Sequence, residues 1–174
     1  MFGAFVEVQN SRHNVEALLK KADSIYNTAD YKLFFVPKIG GSEAFILAAK
    51  AQYEIIRDGN GDNLNHIRDD HQAVYLKNKN EVVAIMTFSV SENLSPKRLF
   101  IYMGYIEKPY RGCGLFIYML KWIENFSKLN NVATIEFATS YKNKIIQKLA
   151  KRYNCQPFII KYKYNIPTGE VNNG

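Results

Sequence analysis

The segment from residue 98 to residue 130 constrains the fold of this chain most strongly. It reads RLFIYMGYIEKPYRGCGLFIYMLKWIENFSKLN. Residues 99–106 form an apolar run of strand length, and the break at residues 108–110 ends it. A glycine-bearing turn at residues 111–114 follows, and the apolar residues after it recur at helical spacing: Leu115, Phe116, Met119, Leu120, Ile123 and Phe126. The pattern predicts a strand, a tight turn and a long helix.

The turn between this strand and this helix has the sequence of an anion site. A glycine turn at a helix start leaves several backbone N–H groups without an intrahelical partner, at the positive end of the helix dipole. Such groups bind phosphate readily. The sequence therefore predicts a phosphate site at residues 111–114.

Composition limits the class of protein. With 174 residues, of which 47% are hydrophobic and 22% charged, we expect one globular domain over residues 1–166 and a polar tail over residues 167–174. Two cysteines make no disulfide framework, and neither a signal peptide nor an apolar run of membrane-spanning length is evident, so we expect a cytoplasmic protein outside the membrane. The net charge of +7 favours either anionic partners, nucleic acid included, or a solvated basic surface.

The remaining periodicity predicts the order of elements. We expect a strand at residues 3–9, a helix to about residue 27, an apolar connection at 33–37, and a second helix capped by Ser42. Strands follow at 73–76 and 81–90, joined by a turn at 77–80. After the central segment come a strand at 133–138, a helix ending near Asn154, and a last strand at 157–164. The inward face of the second helix is predicted to carry Phe45, Ile46, Ala49, Tyr53 and Ile56.

This order, β-α-α-β-β-β-α-β-α-β, predicts an α/β protein with one mixed sheet. Three consecutive strands imply antiparallel pairing, and the β-α-β unit around the central helix implies a parallel pair with a right-handed crossover. Helices then cover the faces of the sheet.

The order of elements and the turn at Arg111-Gly112-Cys113-Gly114 resemble the GCN5-related N-acetyltransferases, the GNAT superfamily. The family motif is Gln or Arg, two residues, Gly, one residue, then Gly or Ala. Arg111 and Gly114 match this motif, whereas Phe116 replaces the last small residue.

The resemblance implies acetyl-CoA as the cofactor. Its pyrophosphate would be held by the turn and the first helical turn, that is by Arg111, Gly112, Cys113, Gly114, Leu115 and Phe116. The strand end at Tyr105 and Ile106 would offer backbone groups to the pantetheine arm, which would lie in the splay between the fourth and fifth strands. Phe116 would either point into the core or crowd the pyrophosphate, and the sequence leaves both open.

The last predicted helix carries the second family signature. Asn143 matches the asparagine that would orient the coenzyme, and Asn154 takes the position of a glycine at the helix end, since Asn tolerates the left-handed conformation. Ala150 stands where the family commonly has the tyrosine that returns a proton to the leaving thiolate. Tyr153 is the candidate replacement, with Tyr141 and Ser140 as alternatives.

Other residues are candidates for chemistry. An amine must lose a proton before it attacks a thioester, and a carboxylate can take that proton. Glu136 and Glu107 are candidate bases, although an exposed or paired structural glutamate is the more common role. The sequence HIRDDH at residues 66–71 is expected to be a solvated turn and no metal site. We expect Cys113 to be a small residue tolerated by the turn and Cys155 to be buried.

Three functions follow from this reading. The first is an acetyl-CoA-dependent N-acyltransferase that moves an acyl group onto a small-molecule or protein amine. The second, motivated by Phe116 and Ala150, is a binding or assembly protein of phage or mobile-element type that keeps the fold without catalysis. The third, motivated by the net charge, is a protein that modifies tRNA or DNA. The oligomeric state is not predicted.

Overall fold

The computed structural model describes residues 30–57, 67–93, 95–139, 143–157 and 164–167. The elements in chain order are β1 (Tyr31–Val36), α1 (Phe45–Arg57), β2 (Gln72–Asn78), β3 (Glu81–Val90), β4 (Lys97–Ile106), a 3-10 turn (Lys108–Tyr110), α2 (Leu115–Leu129), β5 (Val132–Phe137) and α3 (Lys144–Arg152). The strand predicted at residues 3–9, the helix predicted after it and residues 158–163 of the last predicted strand lie outside the described residues.

The five described strands form one mixed sheet in the order β1-β2-β3-β4-β5. The first four pair antiparallel, and β4 pairs parallel with β5. A parallel pair needs a crossover connection, and α2 supplies it. The predicted mixed sheet, with its β-α-β unit around the central helix, is confirmed.

Two apolar cores lie on opposite faces of this sheet. One packs α2 and α3 against the sheet and includes Phe88, Ile101 and Ile146. The other packs α1 against the opposite face and includes Ala48, Met103 and Tyr105. Because β4 contributes side chains to both cores, its backbone is fixed from both sides.

Residues 33–37 were predicted to be a connection, and this prediction is wrong, because most of them belong to β1. Phe35 stacks on Phe88 and Trp122 at ring distances of 6.3 and 5.3 Å, whereas Phe34 stacks on Tyr75, in the other core, at 5.4 Å. β1 is an edge strand of the described sheet, and its neighbours Phe34 and Phe35 contact different cores although each remains more than a third exposed, so the alternation typical of a half-exposed strand is absent.

The predicted inward face of α1 is also wrong. The buried residues are Leu47, Ala48, Ala51 and Ile55, whereas Ile46 is 79% exposed. The helix carries its own apolar residues on most of its sides, so periodicity does not single out one face. The small alanines let the helix approach the sheet closely.

Ser42 does not cap α1 as predicted. Its hydroxyl donates to the carbonyl of Ile39 at 2.7 Å, and its own carbonyl accepts from the N–H of Phe45 at 3.2 Å. Ser42 therefore closes the turn that precedes the helix.

Candidate functional site

A β-bulge in β4 opens the sheet beside the predicted coenzyme site. The register with β3 runs Thr87↔Met103 and then Phe88↔Ile101, so Tyr102 is the extra residue. Pairing with β5 ends at Ile101↔Phe137, next to the bulge. A bulge bends its strand and increases the local twist. The last five residues of β4 therefore continue without β5 beside them, which is the splay that the resemblance implied.

The backbone of β4 directs polar groups into this splay. The N–H of Glu107 donates to the carbonyl of Val83 at 2.8 Å, so the polar groups of Glu107 point towards β3. Successive residues of an antiparallel strand alternate in this direction, so Ile106 and Gly104 point their N–H and C=O groups away from β3. Gly104 is buried and adds no side chain there. Sequence reasoning missed Gly104, although a glycine inside a strand often marks close approach of a ligand or another backbone.

The turn after β4 has the conformation that its glycines permit. Gly112 has a φ of 75° and Gly114 a φ of 84°, both in the left-handed region that residues with a Cβ rarely adopt. Gly114 is the N-cap of α2 and makes no side-chain capping hydrogen bond. At Gly112 and Gly114 the turn therefore carries no side chain, and it lies at the positive end of the α2 dipole, beside the splay.

Phe116 points into the core. Its side chain is 2% exposed and belongs to the core between the sheet, α2 and α3. Of the two orientations that the sequence left open, the structure shows the one in which the ring stays away from the turn.

An apolar cavity of about 40 Å³ lies where α2, β5 and α3 meet. Ala150, at the position where the family commonly has its tyrosine, is part of its wall, and so is Tyr153 at the end of α3, which is 38% exposed. The remaining lining residues are Phe116, Leu120, Phe137, Ile146, Leu149 and Cys155. Tyr153 is thus near the place of the missing tyrosine.

Both ends of α3 are capped by asparagine. The side-chain oxygen of Asn143 accepts from the N–H of Ile146 at 3.2 Å, and Asn143 is 6% exposed. At the other end Asn154 has a φ of 54°, and the N–H of Cys155 donates to the carbonyl of Ala150 at 2.8 Å. This is the Schellman arrangement that a glycine usually adopts, and the predicted left-handed conformation of Asn154 is present.

The side chain of Arg111 folds back onto the end of β4. Its Nε donates to the carbonyl of Ile106 at 2.8 Å, and its guanidinium carbon lies 5.4 Å from the centre of the Tyr105 ring. The guanidinium therefore fixes the turn to the strand that precedes it.

Helix α1 is tied to the same strand end from the other face of the sheet. The Tyr105 hydroxyl donates to Oε2 of Glu54 at 2.6 Å, and Lys50 Nζ lies 2.8 and 3.0 Å from the two carboxylate oxygens of Glu107. Burial, and then the hydrogen bond to Glu54, raise the pKa of the Tyr105 hydroxyl well above its usual value of 10. Sequence reasoning missed Glu54 and Lys50, because their distance from β4 along the chain gives no signal of contact.

Glu136 lies on β5 opposite Phe100, one residue before the pairing with β4 ends. One of its oxygens is 3.5 Å from an Arg98 guanidinium nitrogen, and its side chain is 21% exposed. Of the three predicted catalytic residues, Glu107 directly follows β4 at the end of the splay, Tyr153 borders the cavity, and Glu136 is paired with Arg98.

His71 is a core residue and not part of a solvated turn. It is 4% exposed, its ring stacks on Tyr102 at 4.0 Å, and its Nδ1 lies 3.4 Å from the N–H of Arg68. His66 lies outside the described residues. Within the described ranges, no three His, Cys, Asp or Glu side chains are placed so that they could hold a metal ion.

The burial of His71 predicts a pH dependence of stability. Burial lowers the pKa of His71 below its usual value of 6.5, with the Asp70 charge opposing and the Arg68 charge adding to the effect. The unfolded chain therefore binds a proton at His71 more readily than the folded chain does. The contribution of neutral His71 to the free energy of unfolding is fully present above about pH 6.5 and is lost as the pH falls. We expect the difference in unfolding midpoint between wild type and His71→Phe to change between pH 7.5 and pH 5. If the midpoint difference is the same at both pH values, His71 is not buried as a neutral side chain.

The two cysteine side chains differ in their exposure. Cys113 is half-buried in the turn, with Sγ 3.8 Å from the carbonyl of Arg111. Cys155 is exposed, so the prediction that it is buried is wrong. It directly follows the left-handed Asn154 and borders the cavity from its solvent side.

Among the described helices, none combines the length and the apolar composition that crossing a bilayer requires.

The comparisons with known proteins place this arrangement among solved structures. No protein-family model matches the chain, and no curated protein matches its sequence. An aminoglycoside acetyltransferase, meta-AAC0020 from an uncultured soil metagenomic sample, solved with sisomicin, superposes with a TM-score of 0.61 at 11% identity, covering 82% of this chain and 99% of its own. A predicted acetyltransferase from Clostridium acetobutylicum, solved with acetyl-CoA, gives 0.57 at 17% identity, covering 78% and 96%.

The chain has the GNAT acyltransferase fold. A ribosomal-protein-alanine N-acetyltransferase from Brucella melitensis biovar Abortus 2308 shares this fold with a TM-score of 0.55 at 9% identity, covering 78% of this chain and 99% of its own. The first and third of these structures are named for different acceptors, an aminoglycoside and a ribosomal-protein alanine, and identities of this size establish the fold alone.

Proposed function

We propose that this protein is an acetyl-CoA-dependent N-acyltransferase. One observation carries the proposal: β4 separates from β5 at a bulge and leads directly into a turn with two left-handed glycines at the start of α2. The splay offers an extended arm a strand edge that β5 does not cover, and the turn offers backbone N–H groups to a pyrophosphate. The solved structure with acetyl-CoA at a TM-score of 0.57 adds support.

Different residues of the site would bind different parts of the coenzyme. The turn and first helical turn would hold the pyrophosphate. Gly104 and the N–H of Ile106 would pair with the pantetheine arm, since the Ile106 carbonyl already accepts from Arg111, and Tyr105 would brace the strand from the opposite core. Asn143 would act by fixing the start of α3, since its side chain caps that helix.

The geometry ranks the acid and base candidates. Glu107 lies at the end of the splay but forms an ion pair with Lys50. Glu136 is held by Arg98. Tyr153 borders the cavity beside Ala150 and is the hydroxyl that would return a proton to the leaving thiolate. We propose Tyr153 for this role.

The test of the function is acyl transfer itself. Release of free thiol from acetyl-CoA should depend on the addition of an amine, in a panel of sisomicin, spermidine and a peptide with an N-terminal alanine. Sisomicin and the alanine peptide correspond to the acceptors named for two of the solved structures. Mass spectrometry should show an acetylated amine. Thiol release at the same rate with and without every amine would contradict acyl transfer to nitrogen.

A second candidate is a binding protein with this fold that does not catalyse. The cavity at Ala150 favours it, because the tyrosine hydroxyl of the family is missing from that helix position. Acetyl-CoA binding without amine-dependent thiol release would support this candidate. The nucleic-acid alternative depends only on the net charge, and we do not propose it.

A further inference from the structure

Glu54 differs from the other charged groups around the end of β4 in what it contacts. Lys50 neutralises Glu107 through both carboxylate oxygens, and Arg111 donates to the carbonyl of Ile106. Glu54 contacts a neutral group, the Tyr105 hydroxyl, through Oε2 at 2.6 Å. In the described part of the chain, the structure gives Glu54 no cationic partner.

The hydrogen bond from Tyr105 holds the Glu54 carboxylate in position. A phenol that retains its proton can only donate in this pair, so the carboxylate is the acceptor. Burial keeps the proton on Tyr105 by raising its pKa far above neutrality. The Tyr105 side chain is fully buried, so it cannot move to another partner. Among the described residues only Oε2 of the half-buried Glu54 accepts a hydrogen bond, so Oε1 can accept one from a ligand.

The location of Glu54 suits an acceptor. Tyr105 follows Gly104, the glycine whose backbone points into the splay, and its side chain points to the α1 face of the sheet. Helix α2 lies on the opposite face, whereas the Arg111 guanidinium of the turn reaches the Tyr105 ring. If the coenzyme arm lies along Gly104 and Ile106, an amine that approaches from the α1 face meets Glu54.

We propose that Glu54 is the group that binds the acceptor as an ammonium ion and removes its proton, and that Tyr105 is the positioning residue for Glu54. This inference rests on the proposed acyltransferase function and names its acceptor class, a primary amine that carries a positive charge.

The protons and bonds balance with the groups named. The ammonium gives one proton to Oε1 of Glu54, and the nitrogen lone pair attacks the thioester carbonyl. The C–N bond forms and the C–S bond breaks as the tetrahedral intermediate collapses. The leaving thiolate takes the proton of the Tyr153 hydroxyl, the second proton from nitrogen restores that hydroxyl, and Glu54 then releases its proton to solvent.

The test compares Glu54→Gln with a matched control. Glu43 also accepts a hydrogen bond from a buried tyrosine, Tyr75, at 2.8 Å, but is held by Lys77 as well. With acetyl-CoA and the best amine of sisomicin, spermidine and the alanine peptide, we expect Glu54→Gln to lower kcat at pH 7 at least about tenfold, since a positioned base contributes on the order of 10²–10⁴. We expect Glu43→Gln to stay within about threefold, because it is remote from the bond changes.

The pH profile and a conservative variant separate catalysis from structure. In Glu54→Gln the rate should follow the ionisation of the free amine, whereas KM for acetyl-CoA should not change. Glu54→Asp keeps the charge and should recover part of the rate, and Tyr105→Phe should alter the pH profile without abolishing transfer. Wild-type rates and pH profile in Glu54→Gln would overturn this inference alone. No amine-dependent transfer by the wild type would overturn the acyltransferase function and this inference with it.

Discussion

Truncation of Phe116 to alanine is expected to destabilise the fold by about 3–5 kcal/mol, the usual cost of removing a buried phenylalanine ring. The ring is 2% exposed and lies beside the cavity of about 40 Å³, so the variant enlarges a void that the surroundings already fail to fill. For a chain of this length the unfolding midpoint should fall by roughly 6–20 °C. Thermal and urea unfolding measure the effect.

The matched control is Leu129→Ala at the end of the same helix. Leu129 is 84% exposed, so its truncation should change stability by less than about 0.5 kcal/mol. The Phe116 variant should gain no affinity for acetyl-CoA. If Phe116→Ala instead keeps its stability and binds acetyl-CoA more tightly, the ring crowds the turn and the structural assignment of Phe116 is wrong.

Replacing Gly114 by aspartate is expected to weaken acetyl-CoA binding at least about a hundredfold. The added carboxylate would lie at the N-terminus of α2, where the pyrophosphate is proposed to bind. Like charges about 4 Å apart repel by about 4 kcal/mol near a protein surface. Calorimetric titration with acetyl-CoA measures the loss.

Gly114→Asn separates charge from shape. Asn and Asp have nearly equal size, and both tolerate the left-handed conformation better than other residues with a side chain. We expect Gly114→Asn to lose affinity because its Cβ keeps the phosphate from the backbone, but at least about tenfold less than Gly114→Asp. Equal affinities in the two variants would show that no anion binds at this turn.

Periodicity predicted much of the fold because its strongest signals are local. The run of residues 99–106, the glycine turn and the apolar stripe from Leu115 to Phe126 each identify an element without reference to the rest of the chain. Two of the errors, at β1 and on α1, occur where apolar residues lie on more than one side of an element. Periodicity indicates a direction only when one side is polar.

The site was predictable only in its backbone part. Left-handed turn positions favour glycine, and to a lesser degree asparagine, so Gly112 and Gly114 were identified from the sequence. Glu54 and Lys50 reach β4 across 51 and 57 residues of chain, and such contacts depend on how a helix packs. The orientation of Phe116 likewise depends on packing between α2 and α3, and only the structure supplies it.

The most direct test of the account is calorimetric titration of the wild-type protein with acetyl-CoA and, in parallel, with acetyl-pantetheine, which has the same thioester arm but no pyrophosphate. If the turn at residues 111–114 holds the pyrophosphate, acetyl-CoA should bind with a Kd below about 1 mM, and acetyl-pantetheine at least about tenfold more weakly. Absence of binding at millimolar acetyl-CoA, or equal binding of the two ligands, would contradict the account.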